Sequence, residues 1–132
     1  MDIKTNMMTI IRKEAEAVAA IRVTDAFVEA VECLRDCTGK VATTGIGKAG
    51  FIAHKLAATL SSTGTPAVYI HPAEAGHGDL GLLTPDDCIV AFSTSGKSNE
   101  VVDMLKISEQ LGIRKAIGVT SHVDSRLRDY CQ

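Results

Sequence analysis

This sequence has few aromatic side chains and no large excess of charge. Its 132 residues include no tryptophan, two tyrosines and three phenylalanines, and the formal net charge is −2. A nucleic-acid-binding surface usually combines a basic patch with aromatic rings on which bases stack. Since the composition offers neither feature, we expect no nucleic-acid partner.

Long apolar runs are also missing. None approaches the ~20 residues that a helix needs to cross a bilayer, and no secretory signal pattern is visible. The cysteines, at positions 33, 37, 88 and 131, form no C-x-x-C motif. Such spacing is typical of free thiols in a reducing compartment and not of a disulfide scaffold. We therefore expect a cytoplasmic protein without a membrane partner.

The order of apolar and polar stretches predicts a single α/β domain. Short buried strands are predicted at residues 41–44, 67–70, 88–92 and 115–120, with helical patterns between them, and two further helices at 7–22 and 24–35. Strands that alternate with helices through short connections form a parallel sheet covered on both faces. The prediction is a doubly wound, flavodoxin-like three-layer domain, in which residues 1–36 are N-terminal helices and 37–132 the core.

A further helix is predicted to begin at Ser125 and to reach Cys131, at the end of the sequence. A doubly wound domain normally continues beyond such a helix with at least one more strand. We therefore expect the domain to lack one or more C-terminal strands.

The central stretch of the sequence is a strand, a small polar loop and a helix. The apolar run Cys88–Phe92 leads into residues 93–98, STSGKS, here called the serine loop, and a helical pattern follows with Glu100 in its first turn. Unpaired N–H groups converge at a helix N-terminus, and serine hydroxyls add further donors. The serine loop is therefore predicted to bind a phosphate.

Residues 45–50, GIGKAG, here called the glycine turn, match the G-x-G-x-x-G fingerprint of dinucleotide sites. That fingerprint also requires an acidic residue at the end of the second strand. Here the second strand ends at His71, and Glu74 lies beyond a proline, so a nicotinamide cofactor is disfavoured. A tight turn needs no cation, which suggests that Lys48 faces a phosphate or a developing oxyanion.

A P-loop is the second alternative, because residues 91–98 match its pattern with alanine in place of the first glycine. Lys97 would then be the phosphate lysine and Ser98 a magnesium ligand. Ala91 and Phe92 belong to a strand, however, and no other strand ends in an aspartate suited to magnesium. We therefore disfavour a nucleoside triphosphatase.

The segment after the second strand concentrates titratable groups: His71, Glu74, His77 and Asp79 lie within nine residues. Their spacing follows no defined zinc pattern, so we favour acid–base chemistry on a sugar over metal binding. Asp79 would orient His77 or its loop. His54 and His122 are predicted to be surface residues.

Three segments together identify a family resemblance: GIGKAG at 45–50, SSTGTPAVYIHPAEAGHGDLGLLTPDD at 61–87 and STSGKSNE at 93–100. They resemble the sugar isomerase (SIS) domain of D-arabinose-5-phosphate isomerases, over roughly residues 27–126. The resemblance implies interconversion of D-ribulose 5-phosphate and D-arabinose 5-phosphate, which feeds synthesis of 3-deoxy-D-manno-octulosonate for lipopolysaccharide or capsule. It also implies a homo-oligomer, a dimer or tetramer, with a phosphorylated sugar as ligand and neither cofactor nor metal.

The resemblance matches Lys48, His77 and Glu100 to active-site positions of the family, and the chemistry of an aldose–ketose isomerisation suggests their roles. Lys48 would stabilise an oxyanion, while His77 and Glu100 would transfer or position protons, which leaves open the residue that removes the carbon-bound proton. The predicted substrate- and phosphate-binding residues are Gly45, Gly47, Thr63, Ser93, Ser95, Gly96 and Ser98, supported by His71, Glu74 and Asp79. Ala49 and Lys97 stand where the family usually has a serine and an acidic residue. A regulatory phosphosugar-binding module and a hexulose-6-phosphate-type isomerase remain as alternatives.

Overall fold

The computed structural model describes residues 2–131 of the chain. Residues 1 and 132, the outer limits of the predicted domain, lie outside this range. The described helices and strands, in chain order, are α1 (Ile3–Ala19), α2 (Asp25–Arg35), β1 (Val41–Gly45), α3 (Lys48–Ser62), β2 (Ala67–Tyr69), α4 (Pro72–Ala75), β3 (Cys88–Phe92), α5 (Asn99–Gln110) and β4 (Lys115–Val119). Two short 3-10 helices, Asp79–Leu82 and Arg126–Asp129, complete the described secondary structure.

The four strands form one parallel sheet in the order β2-β1-β3-β4. Val41 of β1 is in register with Ala67 of β2 and with Cys88 of β3. The chain winds outward from β1 to β2, then returns to place β3 and β4 on the other side of β1. This order confirms the doubly wound sheet and creates a crevice between β1 and β3, where open α/β sheets bind their ligands.

The two central strands, β1 and β3, are almost entirely buried because helices cover both faces of the parallel sheet, whereas the edge strands β2 and β4 are partly exposed. All five residues of β1 are buried, including Thr43 and Thr44. The Thr43 hydroxyl donates a hydrogen bond of 2.7 Å to the carbonyl of Ala53, and the Thr44 hydroxyl donates one of 2.7 Å to that of Ile70. Both hydroxyls are thus satisfied inside the core, where an unpaired one would be costly.

Helices cover both faces of the sheet. On one face, Val41, Val90 and Ile117 pack against residues of α2 and α3, among them Leu34 and Leu56. On the other face, a second cluster joins residues of β1, β3 and β4 to α4, α5 and both 3-10 helices; it includes Ala42, Ile89, Ala75, Val101, Leu105, Leu80 and Leu127. These three layers agree with the prediction, and β1 and β3 lie at the centre of the structure.

The sequence prediction was least accurate where the polypeptide is not part of the sheet. Helix α1 begins at Ile3 and ends at Ala19, earlier at both ends than expected. The predicted helix at the end of the chain is a 3-10 helix, Arg126–Asp129. The segment after β2, for which no helix was predicted, contains α4 and the first 3-10 helix, because the apolar side chains of Pro72, Ala75 and Leu80 are buried there.

Every residue of helix α1 is exposed, whereas α2 packs the half-buried Ala30, Cys33 and Leu34 against the core. Its apolar side chains remain exposed, including Met7, Ile10, Ile11 and Val18.

Within residues 2–131, no helix has the length and apolar character needed to span a membrane. The four cysteines are free thiols, as predicted, and burial raises the pKa of Cys88.

Candidate phosphate site

The loops that leave β1 and β3 meet at the carboxyl edge of the sheet and enclose a cavity of about 390 Å³. The cavity lies at the point where the strand order reverses, between β1 and β3. Its walls come from the glycine turn, the serine loop and the loop after β4. The lining residues are Ile46, Lys48, Ala49, Ser93, Thr94, Ser95, Ser98 and His122.

The serine loop is folded tightly by its own hydroxyl groups. Ser93 is only 3% exposed, and its Oγ accepts a hydrogen bond of 3.1 Å from the N–H of Gly96. The hydroxyls of Ser93 and Ser98 lie 3.1 Å apart and form a hydrogen bond, while the N–H of Lys97 donates to Ser95 Oγ at 3.2 Å. These bonds fix the loop so that the three predicted serines lie along one cavity wall.

Gly96 is required by this loop for two reasons. Its φ angle is +65°, in the left-handed region that favours glycine. A Cβ at this position would also overlap Cβ and Oγ of Ser125, which is itself buried. A side chain here would therefore push the serine loop away from the loop that follows β4.

Two helix N-termini point at the cavity. Helix α3 begins after Gly47 at Lys48, and α5 begins after Ser98 at Asn99. Among residues 2–131, the backbone N–H groups of Ser98, Asn99 and Glu100 find no acceptor. Free N–H groups and the positive ends of two helix dipoles together favour a bound anion. The arrangement is suited to a phosphate group.

The glycine turn is held close to the strands that flank it. A Cβ on Gly45 would lie 2.9 Å from the Ala49 backbone, and one on Gly50 would lie 2.8 Å from the Gly45 carbonyl oxygen. The Tyr69 hydroxyl donates to that same oxygen at 2.8 Å, and the ring of His54 stacks on Tyr69 with centroids 3.5 Å apart. Burial also raises the pKa of the Tyr69 hydroxyl above its ordinary value.

Lys48 is the first residue of α3 and is exposed on the cavity wall. Gly47, with φ +64°, forms the N-cap that turns the chain into this helix. The structure thus brings together Lys48 and the three predicted serines, with Gly45, Gly47 and Gly96 shaping the loops behind them. Lys97, considered in the P-loop alternative, is exposed and does not line the cavity.

His122 is a residue of this site that the sequence reasoning missed. It was predicted to be an ordinary surface residue, and it is exposed, but it lines the cavity beside the serine loop. The local sequence has no motif that marks it. The position depends on β4 lying next to β3, which follows from the strand order and not from the residues near His122.

The other predicted residues lie outside the cavity wall. Glu100 is in the first turn of α5 and is exposed. His77, Glu74 and Asp79 are exposed in the segment after β2, and within residues 2–131 no hydrogen bond joins the side chains of Asp79 and His77. His71 forms the N-cap of α4, where Nδ1 accepts a bond of 3.2 Å from the N–H of Ala73.

Thr63 does not belong to the site in this chain. It is the C-cap of α3, and its hydroxyl donates to the carbonyl oxygens of Thr59 and Leu60. The chain then enters β2 through Pro66, whose carbonyl accepts from the N–H of Val41 at the start of β1. Thr63 is therefore at the amino edge of the sheet, opposite the cavity, which corrects its prediction as a substrate-binding residue.

Metal ligation has no support in the described geometry. Across residues 2–131, no group of three or more His, Cys, Asp or Glu side chains is arranged to hold a metal ion.

A larger groove of about 600 Å³ lies between α2 and β4, but its walls are mostly apolar and include Phe27, Ile117 and Val123. Phosphate binding therefore fits the smaller polar cavity.

These features define a doubly wound α/β protein with a polar cavity suited to an anion at the topological switch point. Residues 34–132 match the family model of the SIS domain, and the chain belongs to that family. It is similar to the arabinose 5-phosphate isomerase KdsD of Pseudomonas aeruginosa, with 45% identity over 116 residues. That match includes 86% of this chain but 35% of the relative, so the chain spans about a third of the length of this curated relative.

Solved structures agree with this assignment. A candidate phosphosugar isomerase involved in capsule formation from Bacteroides fragilis is 40% identical, with a TM-score of 0.91 over 98% of this chain and 72% of that one. A protein of Escherichia coli CFT073, solved in complex with arabinose 5-phosphate, is 35% identical, with a TM-score of 0.84 over 100% of this chain and 72% of that one. The predicted family and fold are therefore confirmed.

Proposed function

We propose that this chain is the sugar-phosphate-binding and isomerising domain of an arabinose 5-phosphate isomerase, which interconverts D-ribulose 5-phosphate and D-arabinose 5-phosphate. The observation that carries the proposal is the meeting of the serine loop, Lys48 and two helix N-termini around one polar cavity. The name of the Pseudomonas relative and the arabinose 5-phosphate complex of the E. coli relative support this choice of substrate.

The proposed reaction moves one proton between adjacent carbons. A base removes the proton from C2 of the open-chain aldose, and the electron pair forms a cis-enediolate with the negative charge on O1. O1 then gains a proton, the O2 hydroxyl loses its proton, and a proton is delivered to C1 to give the ketose. Negative charge develops on the substrate oxygen in the intermediate, and a fixed cation or N–H donor stabilises it. No electron leaves the substrate, so the reaction needs no oxidant or reductant.

Lys48 is the proposed stabiliser of that oxyanion. It lines the same cavity as Ser95 and Ser98, so a phosphate held by the serine loop places the rest of the sugar near its ammonium group. Fixing the phosphate converts an encounter into an oriented, effectively intramolecular reaction. The phosphate anchor and Lys48 therefore act on opposite ends of one small substrate.

His77 and Glu100 are the proposed proton-transfer or positioning groups. His77 follows β2 and Glu100 follows β3, so both lie beyond the carboxyl ends of parallel strands, as the cavity does. Both are exposed, and sugar atoms that extend out of the cavity can approach them. The identity of the base that removes the carbon-bound proton is left to the experiments.

The setting we propose is a cytoplasmic homo-oligomer, a dimer or tetramer, in which residues 1–36 provide helices for association and 37–132 the sugar-phosphate-binding core. Helix α1 buries none of its own residues and exposes an apolar face, which supports self-association. The four free thiols support a reducing compartment. The product would supply 3-deoxy-D-manno-octulosonate for lipopolysaccharide or capsule.

The proposed reaction can be tested by incubating the protein with D-ribulose 5-phosphate and following the sugars by ¹³C NMR. We expect D-arabinose 5-phosphate to appear, and we expect Lys48→Met to lower turnover at least about a hundredfold. Lys55→Met is the matched control, because Lys55 is an exposed lysine of the same helix, α3, that does not line the cavity. Turnover that survives Lys48→Met would eliminate the role given to Lys48.

Two further measurements, of thermal stability with the sugar phosphate and of turnover on six-carbon phosphates, separate the alternatives. A regulatory module would gain thermal stability from the sugar phosphate without converting it. A hexulose-6-phosphate-type isomerase would convert six-carbon phosphates faster than five-carbon ones. Either result would overturn the proposed reaction.

A further inference from the structure

We propose that His122 is a phosphate ligand, which donates a ring N–H to a phosphate oxygen held in the serine loop. This assignment rests on the proposed function, since it takes the cavity to be the phosphate site. It adds a residue from the loop after β4 to a site otherwise formed by the loops after β1 and β3.

The composition of the cavity wall explains what His122 adds. Among the lining residues, Lys48 alone carries an ammonium group. The side chain of Ala49 is a methyl group, which cannot donate a hydrogen bond. His122 is the one imidazole in that wall. Within residues 2–131, neither of its ring nitrogens takes part in a hydrogen bond. A neutral imidazole has one N–H donor and its protonated form has two, so a donor is available to the anion in each state.

The backbone fixes His122 relative to the serine loop. The carbonyl oxygen of Thr94, inside that loop, accepts from the N–H of Ser121 at 3.1 Å and from the hydroxyl of Thr120 at 3.2 Å. The N–H of His122 in turn donates to Thr120 Oγ1 at 3.2 Å. Two bonds thus hold the loop after β4 against Thr94, and the third, inside that loop, fixes the backbone of His122 next to them.

This arrangement favours the phosphate as the group that His122 contacts. The bonds tie its backbone to the serine loop itself, where the phosphate is proposed to lie, and not to the glycine turn that presents Lys48. A preorganised backbone leaves only the side-chain rotamers to be ordered on binding. A hydrogen bond to an ionised acceptor is also stronger than one to a neutral group.

The test measures dissociation constants by NMR titration for two probes, inorganic phosphate and D-ribulose 5-phosphate. For His122→Ala we expect about ten- to hundredfold weaker binding of both probes, the loss typical of a hydrogen bond to a charged group. His122→Gln keeps an N–H donor and should recover part of the affinity. Val123→Ala, which alters the exposed residue next to His122 that does not line this cavity, should bind as wild type does.

A direct signature comes from the imidazole of His122, whose ¹⁵N and ¹H signals should shift when phosphate is added to the wild-type protein. Unchanged affinity of His122→Ala for both probes would overturn this inference alone, provided that the wild type binds them. A loss confined to the sugar phosphate would place His122 on the sugar and also overturn it. If the wild type binds neither probe, the proposed phosphate site itself fails.

Discussion

The hydroxyl of Tyr69, at the end of β2, donates a hydrogen bond of 2.8 Å to the carbonyl oxygen of Gly45, at the end of β1. Gly45 is the first residue of the glycine turn, and its carbonyl also lies against Gly50. One side-chain bond therefore holds the turn that presents Lys48 to the cavity.

Tyr69→Phe removes that hydrogen bond and keeps the ring. We expect the free energy of unfolding to fall by about 1–3 kcal/mol, because the Gly45 carbonyl loses its side-chain partner. The binding of D-ribulose 5-phosphate should weaken as the glycine turn loosens. Chemical denaturation and NMR titration measure the two effects. His54→Ala is the control, since it removes the stacked ring and leaves the hydrogen bond; a Tyr69→Phe protein with wild-type stability would contradict this role.

Gly96→Ala tests the fit between the serine loop and Ser125. The new methyl group would overlap Ser125, and alanine at a φ of +65° adds about 1–2 kcal/mol of backbone strain. We expect a lower melting temperature and loss of phosphate binding.

Ser125→Gly supplies the matched second change. It removes the overlapping atoms, so the double variant should recover part of the binding lost in Gly96→Ala, while the strain at position 96 persists. Equal binding by the single and double variants would show that Ser125 does not limit this position.

Asp87 forms an ion pair with Lys40 at the amino edge of the sheet, opposite the cavity. It is 1% exposed, and it accepts bonds of 2.7 Å from the Lys40 ammonium, the Lys40 N–H and the Thr84 N–H. Asp87→Asn should lower the free energy of unfolding by about 2–3 kcal/mol. Asp86→Asn, at the exposed neighbouring carboxylate, is the control and should have little effect.

The same ion pair predicts a pH dependence. Burial by itself raises the pKa of Asp87, but the hydrogen bonds from Lys40 and Thr84 outweigh it and hold the pKa below its ordinary value of 3.8. A carboxyl with a depressed pKa contributes stability that is present above its unfolded pKa and is lost as the pH falls through the folded pKa. The stability difference between wild type and Asp87→Asn should therefore shrink below about pH 4. A difference that stays constant down to pH 2 would contradict this assignment.

The exposed apolar face of α1 predicts the effect of charge on assembly. Met7 and Ile11 lie one turn apart on α1 and are more than half exposed. Replacing both with lysine should convert the proposed oligomer into a monomer, measured by size-exclusion chromatography with light scattering. Glu16→Lys, on the other side of the helix, should leave the assembly intact. A monomeric wild type would refute self-association through α1.

The sequence predicted the sheet well because the relevant signals are local. Each strand is a short segment rich in apolar or β-branched residues and bounded by turn residues, and the four predicted strands agree with the structure to within one residue at their ends. The doubly wound order follows from strands and helices that alternate. The serine loop was also predictable, since it directly joins a buried strand to a helix N-terminus.

The errors arose where position depends on distant residues. His122 enters the site because β4 lies beside β3, and no pattern near position 122 contains that information. Thr63 was predicted to bind substrate because it lies in a segment that resembles the family. Helix α3 runs from the cavity to the amino edge of the sheet, and Thr63, as its C-cap, lies at that edge. Sequence proximity alone also could not show whether His77 and Glu100 reach the cavity wall.

A crystal structure of the protein with D-arabinose 5-phosphate tests the central claim most directly, because the claim concerns where the phosphate lies. We predict phosphate oxygens within hydrogen-bonding distance of the hydroxyls of Ser95 and Ser98 and of the free N–H groups at the start of α5, with the sugar carbons next to Lys48. A phosphate bound in the apolar groove between α2 and β4, or a serine loop left empty at saturating ligand, would contradict the account.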